Sequence, residues 1–283
     1  MKNVDIVVNC YERTWRKTLS KGNILNIVNQ NKFKFSNRIV LINNVSEKGL
    51  VREFAECRRD EGEIDSFYFV DEEIERAMDM LALKRSDFGA TFLFTNWAFV
   101  AITLPGSEFL LHFDPENTIV PPYFDWITPS IDLMKDDHAV LFCSPWPIET
   151  KAERPVEIKK NDILYENESH LVLRPIVFSD SLFLIRKSDF CSINYNERCI
   201  ASLRYPLSWL EFTFEARVDS WMRHHGCKIG LAKKSFFSQP DNMGISHPKK
   251  LTFSEKSRKF FYRQIISTIK RLPWRHKNNC LNI

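Results

Sequence analysis

Short apolar runs recur along the first half of the chain, each followed by a stretch with helical spacing, and this alternation sets the fold class. Val4 to Val8, Arg38 to Ile42, Ser66 to Val70, Glu108 to Phe113 and Ala139 to Cys143 read as buried strands. Between them the spacing predicts helices over Thr14 to about Gln30, Glu47 to about Arg59, Glu72 to Leu81, Phe94 to Thr103 and Phe124 to Met134. Strands that alternate with helices build a mainly parallel sheet covered by helices on both faces, an α/β class. The second half has a different texture. Pro145 to Asn167 reads as a loop or inserted hairpin, Leu171 to Arg186 as strand-like, and Pro206 to His225 as one long amphipathic helix. Cys227 to Ile229 reads as a last strand.

Sheets of this class bind ligands beyond the carboxyl ends of their strands. The ends here carry Asn9-Cys10-Tyr11-Glu12-Arg13, Asn43-Asn44, Asp71 and Asp114-Pro115-Glu116, four polar clusters that one crevice would collect. Glycine narrows the ligand chemistry. The chain has 8 glycines, where a typical usage of ~7% would give about 20. None forms a G-x-G-x-x-G or a G-x-x-x-x-G-K-[ST] loop, so glycine-cradled phosphate is excluded. The 7 cysteines form no C-x-x-C, which fits a reduced compartment. No apolar leader opens the chain and no run is long enough for a spanning helix, so neither a secretory signal nor a membrane span is expected.

Charge is unevenly placed. The net +4 hides a segment from Lys249 to Lys277 with ten basic residues and one acid, a net +9, which leaves −5 for the rest. Within it Phe261, Ile265, Ile269 and Leu272 follow one helical stripe beside Lys256, Arg258, Lys259, Arg263, Lys270 and Arg271. A basic amphipathic helix of this kind suits an anionic membrane surface; the same stripe also suits packing on the domain. The acidic body argues against a nucleic-acid partner.

Asp114-Pro115-Glu116 leaves the apolar run Phe109-Leu110-Leu111-His112-Phe113. Two carboxylates two residues apart on such a turn can share a hard cation, Mn²⁺ or Mg²⁺, which keeps positions open for phosphate oxygens. The same four residues Asp-Pro-Glu-Asn are also good turn chemistry. His112 reads as a strand residue beside this turn and not as a ligand.

The ordered set of these motifs resembles the family 2 glycosyltransferases of the GT-A fold. The resemblance rests on Asn9-Cys10-Tyr11-Glu12-Arg13 at the first strand end, Gln30, Asn43-Asn44-Val45-Ser46 at the second, Gly106 followed by a strand into Asp114-Pro115-Glu116, and the helix with Asp125-Trp126-Ile127. It runs over about residues 4–247. The sequence departs from the family pattern at Asn43-Asn44, which replaces an acidic pair, at Glu116, which replaces an Asp, and at Phe94-Thr95-Asn96-Trp97-Ala98, which stands where Ala-Arg-Asn-x-Gly is usual. The resemblance implies a Rossmann-like GT-A domain over 1–248, with a donor half at 1–117, an acceptor half at 118–248, and a helical tail at 249–283.

It also implies roles. Asn9, Tyr11, Glu12, Asn43 and Asp71 would hold the nucleoside of a nucleotide-sugar donor, a UDP-sugar first among them, with Asp114 at the diphosphate. Asp114, Glu116 and His247 would hold the Mn²⁺ or Mg²⁺. A carboxylate on a late helix would act as the base of an inverting transfer, Glu215 by its distance from Gly226, or Glu211, expected one turn earlier on the same face. Asp180, Trp146 and Arg223 would meet a glycan or lipid-linked acceptor, as in surface-polysaccharide synthesis. The tail would place such an enzyme on the cytoplasmic face of the cell membrane. Two alternatives stay open: a GT-like binding or scaffold protein at the membrane, and a sugar nucleotidyltransferase, whose Gly-rich, Lys/Arg-bearing first loop this chain lacks.

Overall fold

The computed structural model describes residues 2–149, 154–176, 178–205 and 207–238, together with 259, 262 and 264. His247 and, apart from Lys259, Tyr262 and Gln264, the basic tail lie outside the described residues. In chain order, β1 (Val4–Tyr11) leads through α1 (Trp15–Thr18) and α2 (Asn23–Gln30) to β2 (Asn37–Asn43). Then come α3 (Lys48–Asp60), β3 (Ser66–Phe69), α4 (Val70–Met80), α5 (Phe92–Thr103) and β4 (Phe109–Phe113). The second half supplies β5 (Thr118–Val120), α6 (Ile127–Asp136), β6 (Val140–Glu149), β7 (Arg154–Pro155), β8 (Ile163–Glu166) and β9 (His170–Leu173). It ends with β10 (Leu182–Arg186), α7 (Lys187–Cys191), α8 (Phe214–His224) and β11 (Lys228–Ser238).

The sheet runs β3-β2-β1-β4-β10-β6-β11-β9-β8 and is continuous across the two halves. β3, β2, β1 and β4 are mutually parallel. β10 then enters antiparallel between β4 and β6. β6 and β11 are parallel, and β9 and β8 close the far edge as an antiparallel pair.

The expected class holds because each central strand buries both faces. Along β1, β2 and β4 successive side chains alternate between two cores, as pleating demands. Val7, Leu41, Leu110 and Phe183 join α4, α5 and α8 on one face. Val8, Ile42, Leu111 and Leu184 join α2, α3 and α6 on the other. α5 is buried on nearly every side, which is why its sequence is apolar all round instead of striped.

Four local expectations are corrected. The helix expected from Thr14 to Gln30 is two helices, because Gly22 adopts φ +79 between them. The strand-like stretch Leu171 to Arg186 is two strands that sit in different parts of the sheet, β9 beside β11 and β10 beside β4. Pro145 and Pro147 do not end β6, which runs on to pair with β7 and β11. The helix expected from Pro206 begins only at Phe214, after the extended Thr213. Glu211 therefore precedes the helix, and Glu211 and Glu215 do not share a helical face.

At the amino end of the sheet the carboxylate of Asp5 accepts hydrogen bonds from Ser107 N, Ser107 Oγ and Asn37 Nδ2, each at 2.7 Å, and so ties β1 to the starts of β2 and β4. Gly106 makes room for it: its φ is +140, and a Cβ there would stand 2.2 Å from Asp5 Oδ2. Gly106→Ala should lower the unfolding free energy by about 2 kcal/mol. A urea titration would show this as an earlier midpoint with unchanged slope; an unmoved midpoint would mean that the Asp5 tie is not a stabilising one.

Candidate active site at the carboxyl edge of the sheet

Because β1 and β4 are parallel with Val8 opposite Phe113, both chains leave the sheet side by side. Asn9, Cys10 and Tyr11 then face the turn Asp114-Pro115-Glu116. That turn is closed internally: Glu116 N donates to Asp114 Oδ1 at 2.9 Å, and Asn117 N donates to the Asp114 carbonyl at 3.0 Å. The antiparallel β10 brings a third segment to the same place. Leu182 is paired with Phe113, and the Ser181 carbonyl accepts from Asp114 N at 2.8 Å and from Asn117 Nδ2 at 2.7 Å. Asp180 is thus fixed beside Asp114. A fourth segment arrives with the first turn of α8, where Glu215 Oε1 accepts from Asp180 N at 3.3 Å.

Four carboxyl side chains and a phenol so meet at one edge, and their ionisation records the crowding. Burial first, then the charges of Asp180 and Glu116, push the Asp114 carboxyl up from 3.8 to about 7. Burial pushes Asp180 up to about 6. Glu215 is raised well above the usual carboxylate range by burial, by the charge of Asp180, and by a hydrogen bond to the Asp180 side chain. Two carboxyls can share such a bond only with a proton between them. The Tyr11 hydroxyl is raised by burial, by the charge of Asp114 and by a hydrogen bond with Glu116.

Beneath the turn, His112 is stacked between Trp97 at 4.2 Å and Phe183 at 5.0 Å between centroids. Burial pushes it down to about 3, so it is neutral. It is a floor residue, as its place in the strand implied.

The donor-side residues stand around the same edge. Asn9 and Asn43 are buried at neighbouring strand ends, and the side-chain oxygen of each lacks a partner among the described residues. Glu12 accepts from Ser46 N at 2.7 Å and Ser46 Oγ at 2.9 Å, bonds that hold its carboxyl below the usual range and tie the end of β1 to the turn after β2. Asp71, in the first turn of α4, pairs with Lys48 at the start of α3. The remaining acceptor-side residues are engaged elsewhere. Trp146 Nε1 donates to the Val156 carbonyl at 2.9 Å. Arg223 is buried in an ion pair with Asp219 at 2.8 Å. Glu211 Oε1 accepts from Phe212 N at 2.8 Å and lies 3.5 Å from Arg198 and 3.7 Å from Arg217.

One residue of the edge carries no signal in the sequence beyond turn chemistry. Asn117 stands beside the Asp114 turn with its side-chain oxygen buried and, among the described residues, without a partner. Arg13 lies 5.9 Å from the Tyr11 ring centroid and brings positive charge to an otherwise acidic edge.

The donor set can be tested against a divalent cation. Among the described residues no three His, Cys, Asp or Glu side chains converge as a metal cage. Asp114 and Glu116 supply two carboxylates on one turn, and a cation there would offset the charges of Asp180 and Glu116 that raise the Asp114 carboxyl. A small hard cation bound by one or two carboxylates and completed by substrate oxygens suits this arrangement.

No protein-family model matches the chain, and no curated protein does. Solved structures do. GalNAc-T7 with UDP, GalNAc and Mn²⁺ superposes with a TM-score of 0.52 and 11% identity over 99% of this chain and 55% of that one. TarS of S. aureus gives 0.47 and 12% over 98% and 41%. Glucosyl-3-phosphoglycerate synthase from Mycobacterium tuberculosis, in complex with Mn²⁺, uridine-diphosphate and phosphoglyceric acid, gives 0.41 and 7% over 99% and 80%. The chain spans about half the length of the first two. Its fold is GT-A.

Proposed function

We propose that the protein is a metal-dependent glycosyltransferase that moves a sugar from a nucleotide-diphosphate donor to a hydroxyl of a glycan acceptor. The observation that carries this reading is the meeting of Asp114, Glu116, Asp180 and Glu215 at the edge where the ends of β1 and β2 also open. Support comes from the fold shared with GalNAc-T7, which holds UDP, GalNAc and Mn²⁺.

In this reading Asn9 and Asn43 offer acceptor oxygens to a nucleobase or ribose, and Tyr11 closes that side. Asp114 and Glu116 hold a Mn²⁺ or Mg²⁺, with His247 as a third ligand. When bound, such an ion neutralises the charge that develops on the departing diphosphate. Asp180 holds the acceptor hydroxyl, and Glu215 takes its proton as the new bond from that oxygen to the anomeric carbon forms and the bond to the diphosphate breaks, with inversion. Glu215 has to be ionised for this, so transfer should rise with pH until its proton is lost. The donor is a UDP-sugar, the acceptor a surface polysaccharide or its lipid-linked precursor, and the tail brings the enzyme to the cytoplasmic face of the membrane.

Asp114→Ala should abolish the Mn²⁺-dependent part of donor binding, measured as nucleotide-sugar thermal stabilisation with and without chelator. Glu215→Gln should spare that binding and lower nucleotide release to acceptor by about 10²- to 10⁴-fold. Surviving transfer would put the base elsewhere, and a wild type silent towards every donor would end the enzymatic reading.

The raised carboxyls give a further check. Asp114 and Asp180 bind protons more tightly folded than unfolded, so together they lose stability as pH rises from the ordinary 3.8 towards about 7. A cation takes the place of the lost protons, so Mn²⁺ should raise the melting temperature more at about pH 7.5 than at about pH 5. Equal shifts at both would count against a carboxylate site.

The membrane role is tested separately. Basic residues near an anionic surface contribute about 1 kcal/mol each, so removing 249–283 should release the protein from phosphatidylserine vesicles. Retention by the vesicles would refute the anchor.

A further inference from the structure

The two acids at the heart of this edge, Asp180 and Glu215, arrive on separate segments, and a third segment binds both together. The Tyr205 hydroxyl, buried, accepts from Phe178 N at 2.6 Å, two residues before Asp180. The Arg204 guanidinium donates to the Ile176 carbonyl on that same loop and to Asp219 Oδ1 at 3.0 Å. Asp219 is one turn beyond Glu215 on α8 and is fully buried. Its other oxygen accepts from Ser202 Oγ at 2.6 Å and from Arg223 Nε at 2.8 Å. Residues 202–205 are therefore a cross-brace between the Asp180 loop and the Glu215 helix.

The brace has a clasp from the tail. The one proton of the Tyr262 hydroxyl is shared between the backbone carbonyls of Leu203 and Tyr205, the latter at 2.9 Å, and the Lys259 ammonium lies 5.6 Å from the Trp209 ring centroid. Burial pushes the Tyr262 hydroxyl up to about 12, so it stays a donor at any working pH.

We propose that Tyr262 is a positioning residue of the acid site: seated on the carbonyls of Leu203 and Tyr205, it holds the segment that fixes Asp180 against Glu215. Transfer then depends on the Tyr262 contact, although Tyr262 touches neither acid. The dependence of transfer rests on the glycosyltransferase reading; the brace itself does not.

The test is Tyr262→Phe in the full chain, followed by amide hydrogen exchange and by donor turnover. Losing one hydrogen bond should speed exchange roughly fivefold in peptides covering 176–180 and 213–217, while β1 to β4 remain as in the wild type. Tyr205→Phe, which removes only the hydroxyl that receives Phe178 N, should loosen the 176–180 peptide in the same way. With an active donor, Tyr262→Phe should lower kcat by a similar factor and leave the donor KM unchanged, a split that general destabilisation would not produce. Unchanged exchange in both peptides, or a loss of donor KM with intact kcat, would overturn the brace. Exchange needs no substrate, so a wild type that releases no nucleotide from any donor would count against the transferase reading alone.

Discussion

Carboxyls crowded together at a half-buried edge hold their protons more tightly, and the backbone of this protein keeps Asp114, Asp180 and Glu215 in that condition. Side chains alone would not stay there. Asp114 is fixed by the parallel pairing of β4 with β1 and by a bond from its own N–H to Ser181; Asp180 is carried by the antiparallel β10; Glu215 is carried by the first turn of α8. The repulsion is absorbed by the two cores that clamp the sheet from both faces and by the hydrogen bonds that hold each turn. What remains is an edge that binds protons unusually tightly and that a small cation would relieve.

Much of this arrangement was legible in the sequence. The first four parallel strands were visible as apolar runs, because strands buried on both faces need no alternation and stand out from their surroundings. The polar ends Asn9–Arg13, Asn43, Asp71 and Asp114–Glu116 followed from that, since parallel strands deliver their carboxyl ends to one side. Asp180 and Glu215 were singled out as well, but their mutual bond was not. It depends on β10 entering the sheet backwards, and nothing local in Leu182–Arg186 sets a strand's direction.

The failures share a cause. Glu211 looked like a helical neighbour of Glu215 because Trp209, Phe212, Val218 and Met222 keep an amphipathic spacing. The chain instead holds Leu207–Leu210 as a turn, with Leu207 at φ +66, and Glu211 is taken up by Arg198 and Arg217. Arg223 looked available on a helix face and is buried against Asp219. Periodicity reports which residues are apolar, and ion pairs with partners remote in sequence leave no periodic trace. Residues 202–205 were unremarkable for the same reason: their importance lies in bonds to 176, 178 and 219.

The insertion of β10 has a consequence for how the chain is made. β4 ends at Phe113, while the strand that covers its outer edge does not begin until Leu182. During synthesis from the amino end, the first four strands can pair while β4 still presents an open row of amide and carbonyl groups. That row is apolar on both faces and is therefore adhesive. A nascent chain stalled between these points would be a natural client for chaperones, and the acid cluster cannot exist until the polypeptide has doubled back on itself.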